Sequence, residues 1–457
     1  MTRAVASIRL VALCALACGC QDVSIGRQLP GDPDPDVVQE SVIPTPDGAV
    51  TLRALEVGPG GEIVVLLQLE GTVDFGDSDP RTSTSEGGDG VLLVLEADGS
   101  LRAKRVVSAG FLTLYRAALD RGLVHVAGHF RGALSDGDAL GDSPTSQTAV
   151  ALTYDLDAER VSARTLASAS GFGNVQGKGI DARGDARLRC GNYLDQIDAG
   201  DGPIADADIA GDNAYVTVAD AAGTRWTRAL VSPEGPGVRG VYGQSCAFGP
   251  DGGVFAALDF DASVELDGVE RTADAYDALV VAYSPDGAVR WDATLSGAGD
   301  QELNPIAASA SRVLVGGRST APFDWAGESV AGRAFVAALD LDGAPAFAWS
   351  VGESGPHAVT ALDATGSTAV ASGFFGAPVE ALGWAHEGDR DGFVLGLDDA
   401  GAVSWSRTFG GPGPDACLGH LDGARLVAVC TFGAALVSPG GTPIPDGGAL
   451  WVGRLTL

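Results

Sequence analysis

Three aspartates lie close together with a spacing that could bind a metal ion. Asp136, Asp138 and Asp142 occur within the segment DGDALGD. Ca²⁺ takes several oxygen ligands, and closely spaced carboxylates supply them. Because the segment lacks the full register of an EF-hand loop, a solvated acidic loop is the favoured interpretation. We therefore expect no cofactor, with calcium at these three aspartates as the alternative.

Two histidines are spaced to share one face of a strand. Side chains alternate along a β-strand, so His125 and His129 point the same way, which supplies half of a metal site. The remaining histidines, His357, His386 and His420, occur in unrelated contexts, which favours histidines without a metal. The sequence has no P-loop, no glycine-rich dinucleotide fingerprint and no nucleophile elbow. We therefore assign no catalytic residue and favour a protein that is not an enzyme.

The first twenty residues have the pattern of an export signal. Arg3 and Arg9 precede an apolar run over residues 10–17, which ends at small residues and cysteines. The segment LACGC resembles the bacterial lipoprotein processing box, in which a cysteine after small residues is lipidated and becomes the first mature residue. The resemblance places the lipid on Cys20, with Cys18 as the alternative. A plain cleaved secretion signal is the other interpretation.

Four cysteines follow the export signal: Cys190, Cys246, Cys417 and Cys430. An even number in an exported chain favours disulfides over catalytic thiols. Cys417 and Cys430 flank one predicted hairpin. Cys190 and Cys246 fall at corresponding ends of hairpins in consecutive repeats, so their bond would join two repeats. Free buried thiols are the alternative for both pairs.

The chain divides into three parts. Residues 1–19 are predicted to form the lipoprotein signal peptide. Residues 20–36 are predicted to form a flexible tether, because LPGDPDPD combines stiff prolines with carboxylates that keep the segment extended. Residues 37–457 are the expected folded body, and no other run is long and apolar enough to span a bilayer. We expect an exported outer-membrane lipoprotein, on the periplasmic side or on the cell surface.

The charge balance excludes one class of partner. Sixty acidic residues against 29 basic ones give a net charge of −31. Such a surface repels phosphate backbones, so nucleic acid is not an expected partner.

A repeated unit of four strands must position all of these residues. Its third strand recurs most clearly, as DGVLLVLEADG, DALVVAYSPDG and DGFVLGLDDAG. Apolar residues occupy both faces of this strand, which predicts a strand sandwiched between neighbouring sheets. Aspartates Asp89, Asp277 and Asp391 precede it, and we expect them to cap local backbone N–H groups. The fourth strand carries a tryptophan at a nearly constant distance after the third strand: Trp226, Trp291, Trp349 and Trp405.

The repeat order resembles a known family. A strand, an FxG or DFG turn, an acidic loop, DxFVxxLDxxG and then a tryptophan is similar to the SBBP-type bacterial β-propeller repeats of secreted and surface proteins. The resemblance covers residues 52–457 in about seven copies of roughly 55–68 residues. Thr148 and Asn213 replace the leading aspartate in copies two and three. The family is defined by architecture, so it implies a fold and no shared activity.

We therefore expect an all-β protein, a seven-bladed β-propeller of four-stranded blades. The last repeat ends after its third strand, and an orphan segment, VVQESVIP, precedes the first. A ring cannot leave a sheet edge open between its first and last blades. The N-terminal strand is therefore predicted to close the ring.

The expected function is that of a non-catalytic, lipid-anchored binding or scaffold module. It would act as a monomer, held to the membrane by its lipid, on an unidentified protein or carbohydrate ligand. The alternative is a propeller enzyme, a hydrolase or lyase, with an acidic site at one channel mouth. Propeller active sites assemble from distant blades, so the sequence leaves that alternative open.

Overall fold

Each repeat folds into one antiparallel sheet. A computed structural model describes residues 37–45, 47–168, 173–200, 202–205, 211–232, 240–325, 328–366, 368–423, 425–433, 436–438, 440–444 and 448–456. Cys18, Cys20 and the expected tether lie outside the described residues.

The strands of the first three repeats, with the N-terminal strand, are β1 (Val37–Pro44), β2 (Asp47–Val57), β3 (Ile63–Val73), β4 (Arg81–Thr82), β5 (Asp89–Leu95), β6 (Leu101–Val107), β7 (Phe111–Asp120), β8 (Leu123–Ser135), β9 (Ala139–Asp155), β10 (Arg160–Leu166), β11 (Val175–Arg183), β12 (Ala186–Tyr193), β13 (Gln196–Asp198), β14 (Pro203–Ala205), β15 (Asn213–Asp220) and β16 (Gly223–Leu230). The later strands are β17 (Gly240–Phe248), β18 (Val254–Leu266), β19 (Val269–Tyr283), β20 (Val289–Leu295), β21 (Gln301–Ala308), β22 (Arg312–Ser319), β23 (Phe323–Trp325), β24 (Glu328–Val330), β25 (Ala334–Asp340), β26 (Pro345–Val351), β27 (His357–Thr365), β28 (Thr368–Phe375), β29 (Asp391–Leu397), β30 (Val403–Phe409), β31 (Ala416–Asp422), β32 (Arg425–Phe432), β33 (Leu436–Val437), β34 (Pro443–Ile444) and β35 (Ala449–Thr456). A short 3₁₀ helix spans Glu380–Leu382.

Seven blades, each with a path of four paired strands, are built from the described residues. Their strand orders are β2-β3-β5-β6, β7-β8-β9-β10, β11-β12-β15-β16, β17-β18-β19-β20, β21-β22-β25-β26, β27-β28-β29-β30 and β31-β32-β35-β1. The first strand of each blade contacts the first strand of the next, and β31 returns to β2. The first strands therefore form a closed ring around a central channel. The seven-bladed β-propeller is confirmed.

The N-terminal strand closes the ring, as the sequence predicts. β1 pairs with β35 in antiparallel register from Val37 opposite Leu455 to Pro44 opposite Ala449. It supplies the outermost strand of the last blade, next to β35. The edge of β35 is thereby covered.

The hydrophobic core lies between blades. Every residue of β5 and of β29 is buried, so apolar side chains on both faces of the third strand pack against neighbouring sheets. One core cluster joins Leu188 and Val216 of the third blade to Val254 and Leu279 of the fourth. Similar clusters join five other pairs of neighbours, and two smaller ones join the second blade to the third. Burial between blades explains why both faces of these strands are apolar.

An aromatic residue on the fourth strand packs beneath the next blade. The indole N–H of Trp226 donates to the carbonyl of Pro285 at 2.9 Å, and that of Trp291 donates to Leu341 at 2.9 Å. Both acceptors lie in the turn before the fourth strand of the following blade. A Cβ at Gly287 would lie 2.7 Å from the Trp226 ring, so only glycine allows this approach.

The fifth blade departs from the predicted tryptophan spacing. In the third and fourth blades, Trp226 and Trp291 pair with the last third-strand residue before the pairing register shifts. In the fifth blade Phe347 holds that position. Trp349 lies two residues further along and pairs with Val336. Phe347 rather than Trp349 therefore fills the repeated aromatic position.

The aspartates that precede the third strand cap the local backbone. Asp89 accepts the N–H groups of Thr84 and Ser85 at 3.1 Å each, and Asp391 accepts that of Glu387 at 2.9 Å. At Asp89 and Asp391 the carboxylate therefore stabilises the loop that enters the strand, as predicted. Asp277 is fully buried at the equivalent position, and neither of its carboxylate oxygens has a hydrogen-bond partner among the described residues.

Candidate functional site

A β-bulge interrupts the innermost strand of six blades at the same height. The pairing register of β2 with β3 shifts between Leu52 and Ala54, which leaves Arg53 unpaired. Equivalent shifts leave one residue or two unpaired in the next five blades, whereas β31 pairs without a shift. A bulge redirects a side chain, and bulges concentrate beside functional sites. The unpaired residues that line the channel are Arg53, Tyr115, Lys178, Gln244, Asn304 and Thr360.

These side chains line a cavity of about 930 Å³ at the end of the channel where the innermost strands begin. Its wall carries more cations than carboxyl groups, although the chain as a whole is strongly acidic. The cations are Arg53, Arg116, Lys178, Arg318 and Arg390, and the carboxyl groups are Asp259, Glu302 and Asp415. We call this space the central cavity.

Three of the cations come from the first three blades and form no ion pair with any described residue. The Lys178 ammonium donates to the Tyr115 hydroxyl at 2.9 Å and lies 4.1 Å from the centre of that ring. Arg116 donates to the side-chain oxygen of Asn304, and to the carbonyl of Thr360 at 3.4 Å. These partners are neutral, so they orient the cations without cancelling their charge.

Arg53 makes the fewest hydrogen bonds of the three in the described structure. Its guanidinium carbon lies 5.9 Å from the centre of the Tyr115 ring, and its Nε is buried without a hydrogen-bond partner in the described structure. Burial lowers the pKa of Arg53. Burial, together with repulsion from Arg53, lowers the pKa of Arg116 to about 10. Both arginines remain charged at neutral pH, so this side of the cavity is positive. We call the surface formed by Arg53, Arg116 and Lys178 the positive wall.

The opposite wall carries carboxyl groups that already have partners. Glu302 forms a two-point ion pair with Arg318, with Nη2–Oε1 at 2.7 Å and Nε–Oε2 at 3.0 Å. Asp259 is 1% exposed and accepts the side-chain amide of Gln244 and the backbone N–H of Leu303, both at 2.8 Å. Burial raises the pKa of Asp259 well above its usual range. These two carboxyl groups therefore offset little of the charge on the positive wall.

A second space, of about 380 Å³, opens beside the central cavity and shares Lys178, Gln244, Asp259 and Glu302 with it. We call it the side lobe. Polar side chains and two tyrosines complete its lining: Gln176, Asn192, Asp212, Tyr242, Tyr276 and Asp300. The rings of Tyr242 and Tyr276 stack with their centres 5.6 Å apart.

Acidic residues converge at the other end of the channel, around a smaller space of about 230 Å³. Glu56, Asp181 and Asp363 lie at one height there. Each accepts a backbone N–H of the next blade: Asp181 from Phe248 at 2.7 Å, Asp363 from Leu421 at 2.6 Å and Glu56 from Leu119. Burial raises the pKa of Glu56 well above its usual range and that of Asp181 to about 6. These carboxyl groups hold neighbouring blades together.

The aspartates considered for calcium lie far along the second blade and contact an arginine. Arg160 pairs with Asp136 through Nη1 and with Asp138 through Nη2 at 3.2 Å. The Tyr154 hydroxyl donates to Asp136 at 3.1 Å, and Asp142 is exposed. In the described part of the chain, no group of three or more His, Cys, Asp or Glu side chains is placed to hold a metal ion. Calcium at Asp136, Asp138 and Asp142 remains the untested alternative to a solvated loop.

The two histidines on β8 are both buried. His125 hydrogen bonds with the Thr153 hydroxyl at 3.0 Å, and His129 lies between the rings of Phe111 and Tyr115. Burial lowers the pKa of His125 to about 4 and that of His129 to about 3, so both are neutral. His129 packs against the ring of Tyr115 and thereby supports the positive wall.

Both predicted cysteine pairs lie at disulfide-bonding distance. Cys417 and Cys430 are directly opposite each other on β31 and β32, with Cα atoms 4.2 Å apart. Cys190 of the third blade pairs with Cys246 of the fourth across a Cα separation of 6.2 Å. Disulfides are typical of an oxidising, exported environment. The described residues include no helix with the length and hydropathy needed to cross a bilayer.

The positive wall is not predicted by the sequence. Arg53, Tyr115 and Lys178 look like ordinary residues of separate strands, and only the ring brings them together. A weak signal exists, because each unpaired channel residue lies six to eight positions before the hairpin turn that follows its strand. A polar or aromatic residue in that three-position window is the only mark of the bulges that the repeats carry.

No family model and no curated protein matches the chain. Among solved structures, a prolyl endopeptidase is 13% identical with a TM-score of 0.42 over 88% of this chain and 49% of its own. This chain thus spans about half the length of that protein. A gluconolactonase from Xanthomonas campestris is 15% identical (TM-score 0.33, 81% and 90% coverage), and the rhamnogalacturonan lyase YesX is 9% identical (0.32, 91% and 74%). Likenesses this distant carry no argument about activity, and the fold rests on the strand pairing.

Proposed function

We propose that this protein is an exported, lipid-anchored β-propeller that binds a small anionic ligand in its central cavity. One observation carries the proposal: Arg53, Arg116 and Lys178 converge there without an ion-pair partner among the described residues. Each of these three cations is half-buried, and a cation partly withdrawn from water costs free energy unless a counter-charge meets it. A ligand carboxylate, sulfate or phosphate would supply that counter-charge through charge-assisted hydrogen bonds.

The net charge of the protein makes this cavity selective. A surface of net charge −31 repels anions in general. The positive wall lies inside the channel, so it attracts only those anions that are small enough to enter the channel. Binding at the axis also explains why the bulges recur at one height in six blades, because each bulge adds one side chain to a shared site.

The enzyme alternative needs carboxyl groups free to act on a substrate. At the narrow end, Glu56, Asp181 and Asp363 accept backbone N–H groups between blades. In the central cavity, Glu302 is held by Arg318. These bonds support a structural use for the carboxyl groups and favour a binding protein over an enzyme.

Equilibrium dialysis with [³⁵S]sulfate tests the proposal. We expect one sulfate per chain, and each of the substitutions Arg53→Met and Lys178→Met should weaken binding about tenfold or more, since a hydrogen bond to a charged group contributes about 1.5–3 kcal/mol. Arg102→Met is the matched control, because Arg102 pairs with Asp157 at 2.8 Å on the outer surface. Equal sulfate binding in all three variants would refute the proposal.

The lipid anchor rests on Cys20 and needs its own test. Two or more acyl chains would hold the protein firmly on a membrane, on its periplasmic side or at the cell surface. Cys20→Ala should therefore move the protein from the detergent phase to the aqueous phase in Triton X-114 partitioning. If it still partitions like the parent and Cys18→Ala does not, the lipid is on Cys18. If neither substitution changes partitioning, the protein has no lipid anchor at these cysteines.

A further inference from the structure

We infer that the ligand is an acidic sugar, a hydroxyl-rich ring bearing one anionic group, bound across the central cavity and the side lobe. The inference rests on the proposed anion site and adds the class of ligand. The two spaces share four lining residues, so one molecule can occupy both. Lys178 is one of the shared residues and lies at the junction between the positive wall and the lobe.

An unpaired amide in the side lobe points to a hydroxyl-bearing ligand. Asn192 is 5% exposed, and its Oδ1 is buried without a hydrogen-bond partner in the described residues. Asn192 belongs to β12, and its neighbour in the register on β11 is Gln176, which also lines the lobe. A buried amide oxygen without a partner costs free energy, and a donor from a ligand hydroxyl would recover it.

The remaining lining of the lobe suits a sugar. Asp212, Asp300 and Glu302 offer acceptors for hydroxyl groups, and the stacked pair of Tyr242 and Tyr276 offers apolar surface. Acidic groups would repel an anion from the lobe, so the anionic end of the ligand must face the positive wall. The charge distribution thus fixes one orientation, with hydroxyls toward Asn192 and the anion toward Arg53.

Three probes separate the two parts of the site: D-glucuronate carries both features, acetate only the anion, and D-glucose only the hydroxyls. Their binding to the full chain is measured by isothermal titration calorimetry and ligand-observed NMR. We expect D-glucuronate to bind at least tenfold more tightly than either acetate or D-glucose. Asn192→Leu should reduce its affinity to that of acetate and leave acetate binding unchanged. Arg53→Met should weaken both anions.

The outcomes distinguish the inference from the proposed function. If acetate binds in an Arg53-dependent manner but D-glucuronate binds no more tightly, and Asn192→Leu changes neither, the sugar inference is wrong and the anion site stands. If D-glucose binds as tightly as D-glucuronate, the ligand is not an acidic sugar. If Arg53→Met changes no affinity, the proposed anion site itself fails. Circular dichroism and the melting temperature check that each variant is folded, with Arg102→Met as the surface control.

Discussion

Lys178 and Tyr115 join two blades at the wall of the channel. The Lys178 ammonium donates to the Tyr115 hydroxyl at 2.9 Å while it lies 4.1 Å from the ring centre. Both residues are the unpaired positions of bulges, one on β11 and one on β7. The pair holds a cation in the central cavity with a neutral partner, which preserves its charge for a ligand.

Removing that hydroxyl tests whether Tyr115 positions the cation. Tyr115→Phe keeps the ring and loses the hydrogen bond to Lys178. We expect sulfate binding to weaken about 2- to 12-fold, because a single hydrogen bond contributes about 0.5–1.5 kcal/mol. The matched control is Tyr276→Phe, whose ring lines only the side lobe. Unchanged sulfate binding in Tyr115→Phe would show that Lys178 needs no such support.

Glu40 fastens the closing strand to the last blade. Its carboxylate accepts the Ser438 hydroxyl at 2.7 Å, the Trp451 indole at 2.8 Å, the Gly440 N–H at 3.0 Å and the Thr442 N–H at 3.2 Å. Burial opposes ionisation of Glu40, but these hydrogen bonds lower its pKa overall. Glu40→Gln should therefore lower the free energy of unfolding by about 1–2 kcal/mol at pH 7.

The sign of the pH dependence follows from the lowered pKa. The stabilisation by Glu40 is present above the pKa of an unfolded glutamate, about 4.3, and is lost as pH falls through the lower folded pKa. The gap in unfolding free energy between the wild type and Glu40→Gln should therefore narrow below about pH 4. Glu70→Gln, at an exposed position on β3, is the control. A gap that stays constant from pH 7 to pH 3 would contradict the role of the charge.

The two disulfides should contribute unequally to stability. Cys190 and Cys246 are 56 residues apart in sequence, and Cys417 and Cys430 are 13 apart. In the chain-entropy model the longer loop is worth about 4 kcal/mol and the shorter about 3 kcal/mol. Replacing each pair by alanines and measuring denaturant unfolding checks both values and their order. If these four cysteines are all alkylated after the protein is unfolded without reductant, neither bond forms.

The sequence repeats predict the fold, but they do not predict which side chains line the channel. Alternation, glycine turns and the recurring third strand predicted seven blades and the closing strand, since these depend on local pattern and on the need to cover sheet edges. The wall of Arg53, Arg116 and Lys178 depends on bulges, and one extra residue in a strand leaves no mark in a hydrophobic pattern. Phe347 in place of Trp349 is a similar case, because a shift of two residues keeps the same face of the strand.

Buried Asp415 should make the fold less stable at alkaline pH. Burial raises its pKa to about 7, although the Gly433 N–H donates to the carboxylate at 2.9 Å. A folded pKa above the unfolded value of about 3.9 means that the contribution of Asp415 is fully present below pH 3.9 and lost as pH rises through about 7. Asp415→Asn should therefore melt at a higher temperature than the wild type at pH 8 and at the same temperature near pH 4. Asp342→Asn, at an exposed turn, should change neither; a wild-type melting curve for Asp415→Asn at pH 8 would contradict the assignment.

Bromide soaking with anomalous diffraction tests the anion site most directly, because it locates a bound anion without assuming its identity. We expect an anomalous peak in the central cavity within hydrogen-bonding distance of the Lys178 ammonium and of the Arg53 or Arg116 guanidinium. The peak should be lost in crystals of the double variant Arg53→Met, Lys178→Met. A cavity without a peak, while bromide occupies surface sites on the same molecule, would contradict the proposed anion site.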